Sequence, residues 1–160
     1  RGTFMAGCTL FRVTVTGKGC HGAMPETGVD PINITAHIYL ALQELVSREV
    51  PAKSPAVITV GRFQAGQLPN VIPDRAVLEG TIRTFDRDLS QRLMDRIRQV
   101  AESVASAFRG SALVEEPASA PPLHNDPALM EQQHKCADIV AGAVDIAARI
   151  IEEGRAAAKK

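Results

Sequence analysis

A histidine in a glycine-rich turn is the first residue of this chain whose type and setting could support chemistry. His21 lies in the run GKGCHGAMP, residues 17–25, directly after a segment of alternating apolar and polar residues. Gly19 and Gly22 on either side allow a ligand to approach the backbone closely. An imidazole placed there could donate a hydrogen bond to a developing oxyanion. A solvent-exposed loop histidine is the simpler alternative, and the full motif favours the donor.

An amide and a guanidinium could complete a site that binds a carbonyl and a carboxylate. Asn70 begins the run NVIPD, in a loop stiffened by prolines, and fits either a substrate contact or turn formation. Arg83 lies in GTIRTF, and its fork of donors suits a carboxylate, although a cross-strand pair with Glu79 or a neighbouring acid is an alternative. The residue types therefore make His21 a candidate catalytic donor and Asn70 and Arg83 candidate substrate contacts, beside the simpler alternatives named for each.

The elements that must position these residues follow the order β-α-β-β-α-β. Alternation predicts strands at residues 10–16, 57–63, 76–85 and 112–115. Asp30-Pro31 is a capping signal for a first helix, and a periodic apolar stripe from Leu89 to Phe108, stopped at Gly110, marks a second. This order predicts an α+β, ferredoxin-like sandwich with a four-stranded antiparallel sheet and two helices on one face.

The alternation also predicts which side chains lie on each face of the sheet. The helix-facing side should hold Phe11, Val13, Val15, Leu78 and Ile82. The open side should hold Arg12, Thr14, Glu79 and Arg83. The first helix, residues 30–48, carries apolar residues well around its circumference, which indicates that it also meets a second subunit.

Composition and periodicity predict the domain layout. We expect residues 1–8 to be a linker, 9–117 to be the folded domain, and 118–126 to be a second linker rich in Pro, Ala and Ser. Residues 127–160 keep helical spacing and should form a helical tail.

A metal site or a nucleophile within this chain is not expected. His124 with Asp126 and His134 with Asp138 have ligand-like spacing, but neither pair has enough further ligands nearby. Cys20 stands beside His21 without a third residue to orient it, so a thiol nucleophile has no support.

Charge and hydropathy exclude two classes of partner. Eighteen basic and eighteen acidic residues cancel, and no basic patch carries interleaved aromatics, so we expect no nucleic-acid partner. No apolar run approaches the roughly 20 residues needed to cross a bilayer, so we expect no membrane partner. The cysteines at 8, 20 and 136 are too widely spaced for a disulfide framework, which predicts reduced thiols and a cytoplasmic protein.

Taken together, the motifs resemble the dimerisation (lid) domain of the metal-dependent aminoacylase and amidohydrolase family of metallopeptidases. Hippurate hydrolase and N-acyl-amino-acid amidohydrolases belong to that family. The resemblance spans roughly residues 3–126 and is carried by residues 11–25, GVDPI at 28–32, PNVIPD at 69–74 and GTIRTF at 80–85. Cys20 stands where the family often has glycine, and Glu26 where close relatives often have histidine.

The resemblance implies a function. Family members carry this domain as an insertion in a catalytic domain that binds two divalent metal ions, usually zinc. The resemblance thus implies that residues 1–8 are a linker from that catalytic domain, which is absent here, and that residues 127–160 are a possible remnant of it. The inserted domains pair across a two-fold axis through a helix and an edge strand. The residue matching His21 polarises the scissile carbonyl in the other subunit, and those matching Asn70 and Arg83 help to bind the substrate's carboxylate. The chain is thus predicted to be the dimerisation and substrate-gripping domain of an N-acyl amino acid amidohydrolase, inactive in isolation.

A different class of function fits the same fold. Ferredoxin-like folds host many unrelated activities. A free-standing scaffold or small-molecule-binding module would use the open sheet face or a groove between two copies, and it would also be a dimer.

Overall fold

An antiparallel sheet covered by two helices positions the candidate residues. The computed structural model describes residues 3–126, 128 and 131. The strands are β1 Thr3–Met5, β2 Gly7–Thr16, β3 Cys20–His21, β4 Ala56–Ala65, β5 Val71–Ile72, β6 Arg75–Thr84, β7 Ser111–Glu115, β8 Ser119–Ala120 and β9 Leu123–His124. The helices are α1 Pro31–Glu44, extended by a π-helical turn at Leu45–Glu49, and α2 Arg87–Ala107, with a 3-10 turn at Pro25–Thr27.

The main sheet has the strand order β4-β6-β2-β7, and every pairing in it is antiparallel. The long central pair runs from Gly7 opposite Thr84 to Thr16 opposite Arg75. This order confirms the predicted ferredoxin-like α+β fold. Strand β8 also pairs with β2, with Cys8 opposite Ala120, inside the segment that composition marked as a linker.

Alternation predicted the core correctly. The five residues expected on the helix-facing side are all 0–1% exposed. In α1, the stripe of Ile34, Ile38, Leu42 and Leu45 is buried, because it packs on the same face of the sheet. On the open side, Thr14 is also buried, and the Arg75 guanidinium donates a hydrogen bond to its hydroxyl oxygen at 3.2 Å.

Helix α2 ends in a Schellman motif with arginine at the left-handed position. The Arg109 N–H donates to the Ser106 carbonyl and the Gly110 N–H donates to the Ala105 carbonyl, at 3.0 and 2.9 Å. Arg109 itself has φ of 67°, which glycine adopts more readily than other residues. The helix therefore stops as predicted, with the strained position one residue before Gly110.

Replacing Arg109 with glycine should stabilise the domain. We expect the free energy of unfolding to rise by about 0.5–1 kcal/mol, because relief of the left-handed strain outweighs the added freedom of the unfolded chain. Urea denaturation measures this. Ala107→Gly, an exposed change at the last helical residue, is the matched control and should destabilise by about 0.5–1 kcal/mol. Equal effects of the two variants would contradict the strain argument.

Two compact units divide the chain. One comprises residues 5–123 and contains the main sheet and both helices; the other comprises residues 1–4 and 124–160. Strands β1 and β9 form a separate two-stranded sheet. Most of the predicted helical tail, with Cys136, His134 and Asp138, lies outside the described residues. None of the helices in the described part of the chain is both long and apolar enough to cross a membrane.

Candidate functional site

A two-stranded ribbon joins His21 to the loop that carries Asn70. In this ribbon Cys20 lies opposite Ile72 and His21 lies opposite Val71. The Gly22 N–H then donates to the Asn70 carbonyl oxygen at 2.8 Å. The ribbon therefore brings together the backbone segments that carry two of the three predicted site residues, which are 49 positions apart in the sequence.

Glycines make this close approach possible. A Cβ atom at Gly22 would lie 2.9 Å from the Asn70 carbonyl oxygen, and one at Gly19 would lie 2.9 Å from that of Ile72. Both contacts are to backbone atoms, which cannot move aside as a flexible side chain can. The glycines thus allow the strand that carries His21 to lie directly against the segment that carries Asn70.

Asp74 fastens the same turn to the start of β6. Its Oδ1 accepts the Gly19 N–H at 2.7 Å, and its backbone carbonyl accepts the Gly17 N–H at 2.9 Å. The sequence analysis did not assign Asp74 any role. Its only signal was an acidic residue after Pro73, which is also a common turn composition.

The hydrogen bonds of His21 determine where its proton lies. The Ala23 N–H donates to Nδ1 at 3.1 Å, and the Met24 N–H donates to the His21 carbonyl at 2.8 Å. Since Nδ1 accepts, the neutral ring carries its hydrogen on Nε2. The side chain is exposed, and within residues 3–126 nothing hydrogen-bonds Nε2. His21 is therefore presented as a free N–H donor.

Arg83 lies at the other end of β6. Eight residues separate it from Arg75, which adjoins Asp74, so the strand rise of about 3.3 Å places the two ends about 26 Å apart. Arg83 is exposed, opposite Cys8 on β2 and Val57 on β4, and forms no hydrogen bond or ion pair within residues 3–126. Within one chain, Arg83 therefore lies far from His21 and Asn70.

The alternative that Arg83 pairs with Glu79 is wrong. Glu79 instead accepts from Arg12 at 2.6 Å and from Arg62 at 2.9 Å, which links β2, β6 and β4 across the open face. The hydrogen bonds from Arg12 and Arg62 lower the pKa of the Glu79 carboxyl from its ordinary value. This ladder leaves the Arg83 guanidinium available for a ligand.

The described residues do not fit a metal centre. Residues 3–126, 128 and 131 hold no group of three or more His, Cys, Asp or Glu side chains that could surround an ion. Cys8 and Cys20 are free thiols. What this region offers to a ligand is hydrogen-bond donors, among them the Nε2 hydrogen of His21 and the guanidinium of Arg83.

Comparison with known proteins identifies the family of this domain. Residues 6–109 match the family model described as a peptidase dimerisation domain. The chain is 41% identical over 128 residues to N-acetyl-L-cysteine deacetylase of Bacillus subtilis, covering 80% of this chain and 31% of that protein. It is 39% identical over 132 residues to an IAA-amino acid hydrolase of Arabidopsis thaliana, covering 80% of this chain and 30% of that protein.

Solved structures show the same fold. A dinuclear metal binding peptidase of the M20 family from Bacillus subtilis matches with a TM-score of 0.66 and 29% identity, covering 88% of this chain and 34% of that one. A Staphylococcus aureus protein described as an aminohydrolase matches with a TM-score of 0.75 and 28% identity, covering 82% and 34%. The chain spans about a third of the length of these relatives. It belongs to the peptidase dimerisation domain family of the M20 peptidases.

Proposed function

We propose that this chain is the dimerisation and substrate-gripping domain of a metal-dependent amidohydrolase that cleaves N-acyl amino acids or similar amides. The observation that carries the proposal is the exposed imidazole of His21, whose free N–H is fixed on Nε2 by the Ala23 N–H. Relatives named as deacetylases and as an amino acid hydrolase support amides as the substrate class.

In this reaction, His21 donates its Nε2 hydrogen to the oxygen of the scissile carbonyl. That hydrogen bond strengthens as negative charge develops on the oxygen, so it favours the transition state over the substrate. Asn70 and Arg83 hold the substrate's carboxylate, the guanidinium through its fork of N–H donors. Holding the carboxylate fixes the amide relative to His21.

The metal ions of the complete enzyme belong elsewhere. The related M20 peptidase of known structure is described as dinuclear, and we propose two zinc ions for the complete enzyme. Since the described residues do not fit a metal site, the ligands must come from another part of that enzyme. The contribution of this chain is recognition and hydrogen bonding, and on its own it should not hydrolyse amides.

A shared site requires two copies of the domain. His21 and Arg83 of one chain lie too far apart to contact one small substrate. Strand β4 is an edge strand of ten residues, with β6 as its neighbour in the sheet. If two β4 strands pair antiparallel about a two-fold axis, the Ala56 end of one meets the Ala65 end of the other. Arg83 would then approach the histidine ribbon of the second copy.

Helix α1 presents an apolar flank on the same side of the domain as the edge strand β4. His37, on the opposite flank, stacks on Phe108 with ring centroids 4.8 Å apart. Helical spacing puts Ile32 and Tyr39 on the flank away from that contact, and both are more than a third exposed. The Ile32 side chain also lies close to Gly66, just beyond β4. The flank and the strand form one surface suited to a homodimer.

A negative charge introduced on this surface should dissociate the dimer. We expect Tyr39→Glu to convert the complete enzyme from dimer to monomer in light scattering, and amide hydrolysis to fall in parallel, because the site needs both copies. For the chain alone, the mass should fall from twice 17.1 kDa to 17.1 kDa. Leu113→Glu, on the opposite edge strand, is the control and should stay dimeric and active. A fully active Tyr39→Glu monomer would refute the proposal.

The setting of the enzyme is also inferred. Free thiols at Cys8 and Cys20 suit a reducing compartment, and we propose a cytoplasmic homodimer without nucleic-acid or membrane partners.

A further inference from the structure

A cavity of about 740 Å³ lies beside the histidine ribbon. It is bounded by the end of β4, the loop that follows it and the start of β6. Its lining comprises Phe63, Gln64, Ala65, Gly66, Gln67, Leu68, Val71, Pro73, Asp74 and Arg75. The volume falls within the range of small-molecule sites, about 300–1,000 Å³.

Strand register places this cavity next to the reacting group. Val71 lines the cavity and is also the residue directly opposite His21. Opposite residues of an antiparallel pair project to the same side of the ribbon. Any substrate whose carbonyl oxygen meets the His21 imidazole therefore has part of its structure at the mouth of the cavity.

The lining includes three exposed apolar side chains. Phe63, Leu68 and Val71 are 42%, 62% and 41% exposed, so water reaches much of their surface in the free domain. Covering these side chains with a hydrocarbon group removes apolar area from water, which favours binding.

The charged residues of the lining have partners. The Asp74 carboxylate accepts the Gly19 N–H, and the Arg75 guanidinium donates to the Thr14 hydroxyl. The two glutamines are neutral. A ligand group that enters this cavity therefore meets hydrocarbon and amide surface beside one carboxylate and one guanidinium, each of which hydrogen-bonds a neutral group of the domain.

We propose that this cavity receives the acyl chain of the substrate and so selects apolar acyl groups. This rests on the proposed function of His21. The acyl chain is bonded directly to the carbonyl carbon whose oxygen His21 contacts, whereas the amino-acid side chain is separated from that carbon by the amide nitrogen and Cα. Of these two groups, the acyl chain is the one joined more directly to the carbon beside His21.

The test uses the complete enzyme and one amino acid carried by two acyl groups, acetyl and hexanoyl. We expect Leu68→Ser to lower the ratio of kcat/KM for hexanoyl to that for acetyl by about tenfold, because lost hydrocarbon contact weakens only the longer chain. Leu113→Ser is the matched control, since Leu113 is 61% exposed but lies on β7. Its ratio should stay within about twofold of that of the unaltered enzyme.

Three outcomes would overturn the proposal. The ratio could stay unchanged in Leu68→Ser. The selectivity could change only among amino-acid side chains, which would assign the cavity to the other half of the substrate. Light scattering could show that Leu68→Ser dissociates the dimer, which would assign the cavity to the interface between copies. If hydrolysis of acetyl substrates by Leu68→Ser still falls when His21 is also replaced, the proposed function of His21 stands independently of the cavity.

Discussion

Replacing His21 with alanine in the complete enzyme should lower kcat by about 10²–10³-fold, the usual cost of removing one oxyanion donor. The Nε2 hydrogen is the only group that the imidazole offers to a ligand, because Nδ1 is already occupied by the Ala23 N–H. KM should change little, since the hydrogen bond gains most of its strength as charge develops in the transition state. Steady-state kinetics with an N-acyl amino acid measures both quantities.

Two measurements distinguish the loss of the His21 hydrogen bond from an indirect effect on metal binding, dimerisation or folding. Metal content and dimer mass should equal those of the unaltered enzyme, because the His21 side chain is exposed and its one hydrogen bond within residues 3–126 is to the Ala23 N–H of its own turn. His37→Ala removes a second exposed imidazole, one that stacks on α2, and should keep kcat within about twofold. Turnover of His21→Ala within a few-fold of the unaltered enzyme would show that this residue does not stabilise the oxyanion.

Mixing two inactive variants should restore activity. In a homodimer of His21→Ala every site lacks the donor, and in a homodimer of Arg83→Ala every site lacks the carboxylate fork. If each site takes His21 from one copy and Arg83 from the other, a mixed dimer has one doubly damaged site and one intact site. Random exchange of subunits should then recover about a quarter of full activity, since half the dimers are mixed and half their sites are intact.

The recovery has a clear control. Mixing His21→Ala with Asn70→Ala should restore nothing, because the β3–β5 ribbon places both residues in the same copy and hence in the same site. Subunit exchange is verified by light scattering and mass spectrometry of tagged chains. Failure of the His21 and Arg83 pair to recover activity, despite exchange, would place the guanidinium outside the shared site.

The fold could be predicted largely because its elements follow local rules. Strand β2 alternates Phe11, Val13 and Val15 with polar residues, and those three side chains are the ones buried under the helices. Asp30 caps α1 with its carboxylate accepting the Ile32 and Asn33 N–H groups, as the Asp-Pro signal indicated. Periodicity and capping act within a few residues, so a single sequence displays them.

The candidate site could be proposed from residue types, and its arrangement could not. The motifs single out His21 and Asn70 as candidates, but the pairing of β3 with β5 that joins their segments depends on residues 49 positions apart, which no local pattern reports. The role of Asp74 was missed because its partner is a backbone N–H, which every residue except proline carries. The separation of Arg83 from His21 follows from strand length and direction, and it emerged only with the register of the sheet.

The pairing of β8 with β2 has a consequence for how this domain can be moved between proteins. The chain enters the sheet near Cys8 and leaves it near Ala120, and these two positions are neighbours across one ladder. A segment whose entry and exit adjoin can be spliced into a surface loop of a host without forcing the host's own chain apart. A host loop whose two ends lie about 5 Å apart, the spacing of paired strands, is therefore suited to carry this domain.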